Sequence, residues 1–326
     1  MRDASTGGHV LALCGGVGGA KLALGLDAVL GPRGLTVAVN TGDDFVHLGL
    51  HVSPDLDTVL YTLAGLADPE RGWGRRDETW NFMAALAAVG GEAWFSLGDR
   101  DLAVHVERTR RLGGGEALSA VTADLASRLG VGARIVPMTD DPVRTIVHTA
   151  AGALSFQDYF VRHRCEPRVT AIAFAGAAAA RPAAALRAVL DDPALAAIVI
   201  CPSNPYLSID PILALPGLRA MLGRASAPVV AVSPLVGGRA VKGPTAKIMA
   251  ELGLAATPQA IADHYGSLLD GLVIDEGDRA AAAGVSLPLL ATRTLMRDAD
   301  DKARLARELL EFAATLAARR DVACQP

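Results

Sequence analysis

The stretch His9-Val-Leu-Ala-Leu-Cys-Gly-Gly-Val-Gly-Gly-Ala-Lys21 decides the fold. Its first six residues, through Cys14, form an apolar run stopped by glycine, the pattern of a buried strand. Gly15, Gly16, Gly18 and Gly19 follow, and Lys21–Leu30 then reads as a helix. Strand, glycine turn and helix in that order begin a parallel β-α-β unit.

Working outward, Leu35–Asn40 is a second apolar run, ending in the polar turn Asn40-Thr-Gly-Asp-Asp44. Ser53-Pro-Asp55 opens a helix: Ser53 suits the cap, Pro54 the first helical position and Asp55 the positive end. Leu56, Val59, Leu60 and Leu63 then recur at helical spacing. A helix from about Asp77 to Val89 leads to a strand at Ala93–Leu97 and a turn at Gly98–Asp101. Helical Ala117–Leu129 precedes a strand at Ala133–Pro137. Thr145–Thr149 and Ala153–Phe156, around Gly152, predict a hairpin, the one antiparallel interruption. Strand-like runs recur at Ala171–Phe174, Ala197–Cys201, Pro228–Ser233 and Leu272–Asp275, and Asp300–Arg319 is an amphipathic helix. The expected fold is α/β, a mainly parallel sheet with helices on both faces. One domain is expected over 9–320, with a smaller inserted lobe at about 65–165 and a leader at 1–8.

Composition removes several function classes. Of 326 residues 51% are apolar, and mean hydropathy is +0.31, which excludes a disordered or collagenous chain. Thirty-one basic and 35 acidic residues give a net charge of −4, so no global positive field gathers nucleic acid or anionic lipid. The longest apolar stretch, Ala171–Leu190, is cut by Arg181, Pro182 and Arg187, and no membrane span is expected. Met1–Leu13 lacks the pattern of a secretion signal. Cys14, Cys165, Cys201 and Cys324 contain no Cys-x-x-Cys pair, the usage of a reduced, cytoplasmic protein.

In a parallel α/β sheet, ligands sit beyond the carboxyl ends of the strands. Gly15, Gly16, Gly18, Gly19 and Lys21 stand there, either as a phosphate site at a helix N-terminus or as a tight turn. Leu22 after Lys21 excludes a P-loop, and Lys21 occupies the third glycine of the dinucleotide fingerprint. Asp43, Asp44, Asp55 and Asp57 gather carboxylates that suit Mg²⁺ shared with a phosphate; the plainer reading is a turn and a helix start. Arg100 reads as the partner of a neighbouring carboxylate. Ser203, Asn204 and Ser208 end one strand and the Ser233–Gly238 turn ends another; both suit a base or phosphate, and both are also ordinary turn chemistry. His47 and His51 fall on a loop and make no zinc site. Trp73, Trp80 and Trp94 suit packing or the stacking of a flat ring. No Gly-x-Ser-x-Gly elbow or cysteine nucleophile signature is present.

Seven segments occur in order between Val10 and Leu295. They are Gly15-Gly-Val-Gly-Gly-Ala-Lys-Leu22, Val39-Asn-Thr-Gly-Asp-Asp44, Ser53-Pro-Asp-Leu-Asp-Thr-Val-Leu-Tyr-Thr62 and Leu97-Gly-Asp-Arg-Asp-Leu102, then Pro137-Met-Thr-Asp-Asp-Pro142, Pro202-Ser-Asn-Pro205 and Val232-Ser-Pro234 with Gly243-Pro244. Together they resemble the 2-phospho-L-lactate transferase family, Pro54-Asp-Leu-Asp-Thr58 being the most specific element. The resemblance implies a Rossmann-like fold, commonly homodimeric, and a Mg²⁺-dependent phosphotransferase of coenzyme F420 biosynthesis. Such enzymes take a guanylyl diphosphate donor carrying lactyl, enolpyruvyl or glyceryl phosphate, transfer the phospho-acid to the deazaflavin alcohol Fo, and release GMP. Carried onto this chain, the resemblance assigns the diphosphate to Gly15, Gly16, Gly18, Gly19 and Lys21. It assigns catalysis to Asp44, Asp55 and Asp57, the metal to Asp44 and Asp57, and Fo to Asp57 and Ser96. Ser203, Asn204, Ser233 and Gly238 meet the guanosine end. Ser96 replaces a lysine of archaeal relatives, and Cys14 a serine. Asp57→Ala is expected to abolish transfer with the fold intact. Two rival readings are a nucleotide-sugar-binding regulator of the gluconeogenesis-factor type, which lacks the Pro54–Thr58 and Gly98–Asp101 elements, and a nicotinamide oxidoreductase, which the missing third glycine disfavours.

Overall fold

The computed structural model describes residues 8–323, with side chains through Arg320; the leader, but for Gly8, and Cys324 lie outside the described residues. Seven parallel strands form the central sheet. Across it they run Leu289–Thr292, Gly271–Asp275, Val229–Val232, Leu195–Ile200, His9–Cys14, Leu35–Val39 and Arg134–Pro137. The chain builds outward from His9–Cys14 to Arg134–Pro137, then restarts on the other side at Leu195–Ile200. Strand order therefore reverses between His9–Cys14 and Leu195–Ile200, where Leu13 lies opposite Ile200. A crevice opens at such a switch point.

Helices cover both faces, and the first strand records it. Leu11 and Leu13 belong to one buried cluster, Val10, Ala12 and Cys14 to the other. Leu22 and Leu26 of the helix Gly16–Leu30 and Leu309 of the helix Ala299–Ala323 join the second cluster. Leu186, Ile212, Leu218 and Ile261 line the first. Each fully buried leucine contributes about 2 kcal/mol, so the sheet is held from both sides.

Several elements differ from the sequence expectation. The first helix starts at Gly16, not Lys21. Ala93–Leu97 is not a strand: Phe95 packs edge-on against Phe45 and Trp94 against His47, so these rings form a cluster in place of a ladder. The run at Ala171 lies in the strand Val169–Ala175, which pairs antiparallel with Arg144–Thr149 in a separate three-stranded sheet. Its half-buried Ile172 and Phe174 alternate with exposed alanines, the pattern of a one-sided sheet. Gly152–Ser155 completes that sheet as the expected hairpin. It is not the one antiparallel interruption, because Phe45–His47 pairs with Leu50–Val52 and Leu235–Val236 with Arg239–Ala240. His47 and His51 thus sit on strands, not a loop. The edge strand Leu289–Thr292 and the helix Asp99–Gly113 were not expected either.

Candidate active site

The switch-point cleft has a volume of about 690 Å³, the size of a small-molecule site. The helix Gly16–Leu30 begins in its wall, and its glycines answer to packing. A β-carbon on Gly18 would stand 2.5 Å from the Pro202 carbonyl oxygen, and one on Gly19 2.4 Å from Ser203 Oγ. Their absence lets the turn after Leu195–Ile200 lie directly on the helix. Ser203 Oγ accepts from the Gly15 N–H at 3.1 Å and donates to the Gly15 carbonyl at 2.7 Å. The Gly16 N–H donates to Asp55 Oδ1 at 2.8 Å. The turn's first two N–H groups are therefore paired within the protein. Val17 and Gly18, in the positive first turn, line the cleft. So does Lys21, whose Nζ donates to the Met296 carbonyl at 3.2 Å. Burial first, then Lys242 and Lys302, hold its pKa below the usual lysine value.

Three buried carboxylates stand beside this helix. Asp55 leads the helix Pro54–Leu63 and accepts from Asn40 Nδ2 at 3.0 Å through Oδ2. Burial pushes its pKa up to about 6 against the Asn40 and Gly16 hydrogen bonds, and the Asp44 charge adds to the rise. Asp43 is pushed well above the usual carboxylate range, by burial first and then by the Asp55 and Asp44 charges. Asp44 Oδ2 accepts from Ser53 Oγ at 2.8 Å and lies 3.0 Å from His51 Nε2. Ser53, expected to cap the helix with its side chain, instead holds Asp44. Asp43 Oδ1, Asp44 Oδ1, Thr41 Oγ1 and Thr145 Oγ1 are buried without a partner among the described residues. Buried carboxylate oxygens left unpaired are costly, and a site that raises two carboxyls together is one a divalent cation relieves.

A second set of charges is already balanced. Arg108 of the helix Asp99–Gly113 is 2% exposed. Its Nη1 donates to Asp57 Oδ2 at 3.1 Å and its Nη2 to Asp57 Oδ1. Nη1 also donates to His105 Nδ1 at 3.3 Å. His105 Nε2 lies 3.3 Å from Asp101 Oδ2, and Tyr61 Oη donates to Asp101 Oδ1 at 2.5 Å. Burial alone would raise Asp101, but His105, Tyr61 and Arg108 outweigh it and hold the carboxyl below its usual value. Ligand atoms of Asp57, Asp101 and His105 lie within 4.8 Å of one another, the spacing of a metal site. The guanidinium of Arg108 already stands among them as their cation.

Of the residues singled out in the sequence, Gly15, Gly16, Gly18 and Lys21 line this cleft, with Asp55, Asp57 and Ser96. Ser203, Asn204, Ser208 and Ser233 line it as well. Asn204 Oδ1 accepts from the Tyr206 and Leu207 N–H groups, while its Nδ2 is buried without a partner. Gly19 and Asp44 are buried beside the cleft without lining it. Gly238 is not brought there: its N–H donates to Asp278 Oδ1 at 2.6 Å, in the turn between Leu235–Val236 and Arg239–Ala240. Arg100 is exposed and forms no ion pair among the described residues. Trp73 and Trp94 line the cleft, whereas Trp80 is covered by the Arg71 guanidinium at 4.5 Å. Asn40, Tyr61, Asp101, His105 and Arg108 were not singled out. The last three fall at i, i+4 and i+7, one face of a helix, a signal legible once Asp99–Gly113 is read as helical.

The fold and site define an α/β protein of doubly wound strand order with an acidic cleft at its switch point. Residues 10–298 match the family described as 2-phospho-L-lactate transferase CofD. The chain is 43% identical over 314 residues to a phosphoenolpyruvate transferase of Streptomyces griseus, covering 94% of this chain and 98% of that one. It is 41% identical over 311 residues to a phosphoenolpyruvate transferase of Mycobacterium tuberculosis, covering 87% and 93%. A crystal structure of a UPF0052-family protein from Bacillus halodurans shares the fold at a TM-score of 0.62 and 14% identity, over 93% of this chain and 98% of that one. The chain belongs to the 2-phospho-L-lactate transferase family, transferases of coenzyme F420 biosynthesis. Among the described residues no helix is long and apolar enough to cross a membrane.

Proposed function

We propose that the protein transfers a phosphorylated acid from a guanylyl diphosphate donor to the ribityl hydroxyl of Fo, releasing GMP, and that the preferred acid is enolpyruvate. The family supports the reaction class; the names of the Streptomyces and Mycobacterium relatives favour the acid. The observation that carries the reading is the buried trio Asp43, Asp44 and Asp55, with one unpartnered oxygen on each of Asp43 and Asp44, beside the N-terminal turn of the helix Gly16–Leu30. A diphosphate cannot lie against that trio without a cation between them. Hard oxygen donors in an acidic pocket fit Mg²⁺. Asp43 and Asp44 would hold it with Asp55 beside them, and the bound ion supplies charge neutralisation to the diphosphate oxygens. Asp57, read from the resemblance as a metal ligand, is left to the acceptor because Arg108 already neutralises it.

The remaining work falls to the chain itself. The N–H groups of Val17 and Gly18, with Lys21, receive the diphosphate. Asn204 Nδ2, Ser203 and Ser233 face the guanosine end, and Trp73, Trp94 and Ser96 the ring of Fo. Asp57 accepts the hydrogen bond of the ribityl hydroxyl and aims its oxygen at the acid-bearing phosphorus. As that P–O bond forms, the bridging bond to GMP breaks, and the hydroxyl proton leaves to water. Positioning and neutralised charge suffice for such an in-line displacement. On the family's habit the protein works as a cytoplasmic homodimer.

The test is incubation of the protein with Fo, Mg²⁺ and lactyl-, enolpyruvyl- or 3-phosphoglyceryl-diphosphoguanosine, with GMP and the phosphodiester followed by mass spectrometry. Fastest product from the enolpyruvyl donor is expected. Nucleotide binding without GMP from any donor would overturn the reading in favour of a binding protein.

A further inference from the structure

We propose that His105 is a positioning residue for this transfer: it fixes the guanidinium of Arg108, which in turn sets the plane of the Asp57 carboxylate. The inference rests on the reading that Asp57 meets the acceptor hydroxyl. Arg108 offers one terminal nitrogen to each oxygen of Asp57, the fork geometry that defines a carboxylate's orientation as well as its charge. Two planar groups paired only with each other still tilt together. What limits the tilt is the contact from Arg108 Nη1 to His105 Nδ1 at 3.3 Å, closer than that from Nη1 to the His51 carbonyl at 3.5 Å. An arginine nitrogen only donates, so Nδ1 is the acceptor and the ring carries its proton on Nε2, toward Asp101 Oδ2 at 3.3 Å. Asp101 is anchored by the Tyr61 hydroxyl.

The contacts form a chain across two helices, in which His105 Nε2 approaches Asp101 at 3.3 Å without an aligned hydrogen bond. Asp57 and Tyr61 are one turn apart on Pro54–Leu63; Asp101, His105 and Arg108 share one face of Asp99–Gly113. His105 is 1% exposed and Arg108 2%, while Asp57, Tyr61, Asp101 and His105 all reach the cleft wall. A buried ion pair is a poor way to hold two helices together, since apolar side chains of the same volume do so at least as well. A chain of buried polar contacts ending on a carboxylate in the cleft is what accurate placement requires. Arg108 keeps its positive charge, and its two terminal nitrogens hold both Asp57 oxygens as acceptors.

The pair His105→Asn and His105→Leu tests this. Asparagine puts Oδ1 where Nδ1 stands and keeps the acceptor; leucine fills the space and removes it. Misplacement of a reacting group by about 1 Å lowers turnover by up to ~100-fold. Kinetics with both substrates varied should show kcat in the leucine variant down by ~10–100-fold, with KM for the donor unchanged, and kcat in the asparagine variant within ~3-fold of the parent. Equal losses in both variants, or parental kcat in the leucine variant, would overturn the proposal. If the leucine variant does not fold, Tyr61→Phe replaces it: one hydroxyl is deleted, kcat should fall by ~3–10-fold, and parental kcat overturns the proposal. ¹⁵N NMR of His105 in the parent reads the tautomer with no turnover needed, and a protonated Nδ1 overturns the proposal. A parent that releases no GMP from any donor while its His105 shows the Nε2–H tautomer refutes the assigned reaction and, with it, a role in transfer, but not the contact itself.

Discussion

Removing the Asp57 carboxylate separates a catalytic residue from a structural one. Read from sequence alone, Asp57→Ala abolishes transfer and spares the fold; the buried pair with Arg108 changes the second half of that expectation. Arg108 has its Nε unpartnered among the described residues and only His105 and the His51 carbonyl, at 3.3 and 3.5 Å, as further acceptors. Losing Asp57 leaves an uncompensated buried guanidinium, a loss of about 3–5 kcal/mol. With an unfolding entropy of about 2.1 cal/mol/K per residue over roughly 320 residues, the melting temperature falls by about 4–7 °C. Adding Arg108→Met removes the stranded charge, and the double variant should melt within ~2 °C of the parent while remaining inactive, because replacing both partners of a buried pair is often neutral. Circular dichroism melts at pH 7.5 measure both. An Asp57→Ala protein that melts with the parent would refute the reasoning, since it would mean that water reaches Arg108. A double variant weaker than the single would mean that Arg108 stabilises the helices through contacts other than Asp57.

Three further outcomes are expected. Asp55, with its pKa raised to about 6 by burial, is easier to keep protonated folded than unfolded, so its contribution is full below about pH 4 and is lost as pH rises to 6. A rise of that size corresponds to ~3 kcal/mol, and urea midpoints from pH 4 to 7 should show the parent losing about that much relative to Asp55→Asn; a constant difference refutes the burial argument. Mg²⁺ at 100 times its Kd should stabilise the parent by about 2.7 kcal/mol, or ~4 °C, and calorimetry of Asp44→Asn should show no such gain. Gly19→Ala should destabilise by about 1–3 kcal/mol, because the new methyl meets Ser203 Oγ and Cys14 Sγ at 2.4 and 2.7 Å. Gly113→Ala, with nothing within 4 Å, should be neutral or stabilising by up to ~1 kcal/mol, so matching losses in the two denaturation curves would contradict the packing account.

The parallel core was legible because strands buried on both faces leave continuous apolar runs: His9–Cys14, Leu35–Val39 and Val229–Val232 announce themselves. The strand Val169–Ala175 misleads because its alanines look apolar while facing solvent. Trp94 and Phe95 resemble a strand, yet large rings satisfy themselves by packing on Phe45 and His47 without a ladder. The helix Asp99–Gly113 escaped for the opposite reason. Few of its residues are apolar, and its buried face is built from His105 and Arg108, with only Val104 as an ordinary core side chain. The same cause hid the site: hydrophobic periodicity finds helices that bury hydrocarbon, and this one buries charge. The glycine run was found at once, but the distances to Pro202 and Ser203 that explain it join residues nearly two hundred positions apart.

Four carboxylates line one cleft and a fifth, Asp44, lies buried beside it; the structure sorts them by what neutralises each. Asp57 and Asp101 lie against an arginine and a histidine supplied by the protein; Asp101 is held below its usual pKa, and Arg108 is pushed up although burial opposes it. Asp43 and Asp55 share their pocket with Asp44, and both are driven upward. Environments that push like groups apart in pKa mark a division of labour. The first set has its counter-charge built into the chain and its orientation held by it, which suits a hydroxyl that must be aimed. The second is stable only when protonated or when a cation arrives, which suits a substrate that brings a metal with its diphosphate. Were the whole cluster a single metal site, Arg108 would compete with the ion for Asp57 and the helix Asp99–Gly113 would lose its buried counter-charge whenever the metal left. Dividing the acids between a resident cation and a visiting one lets the acceptor side stay ordered while the donor side empties and refills.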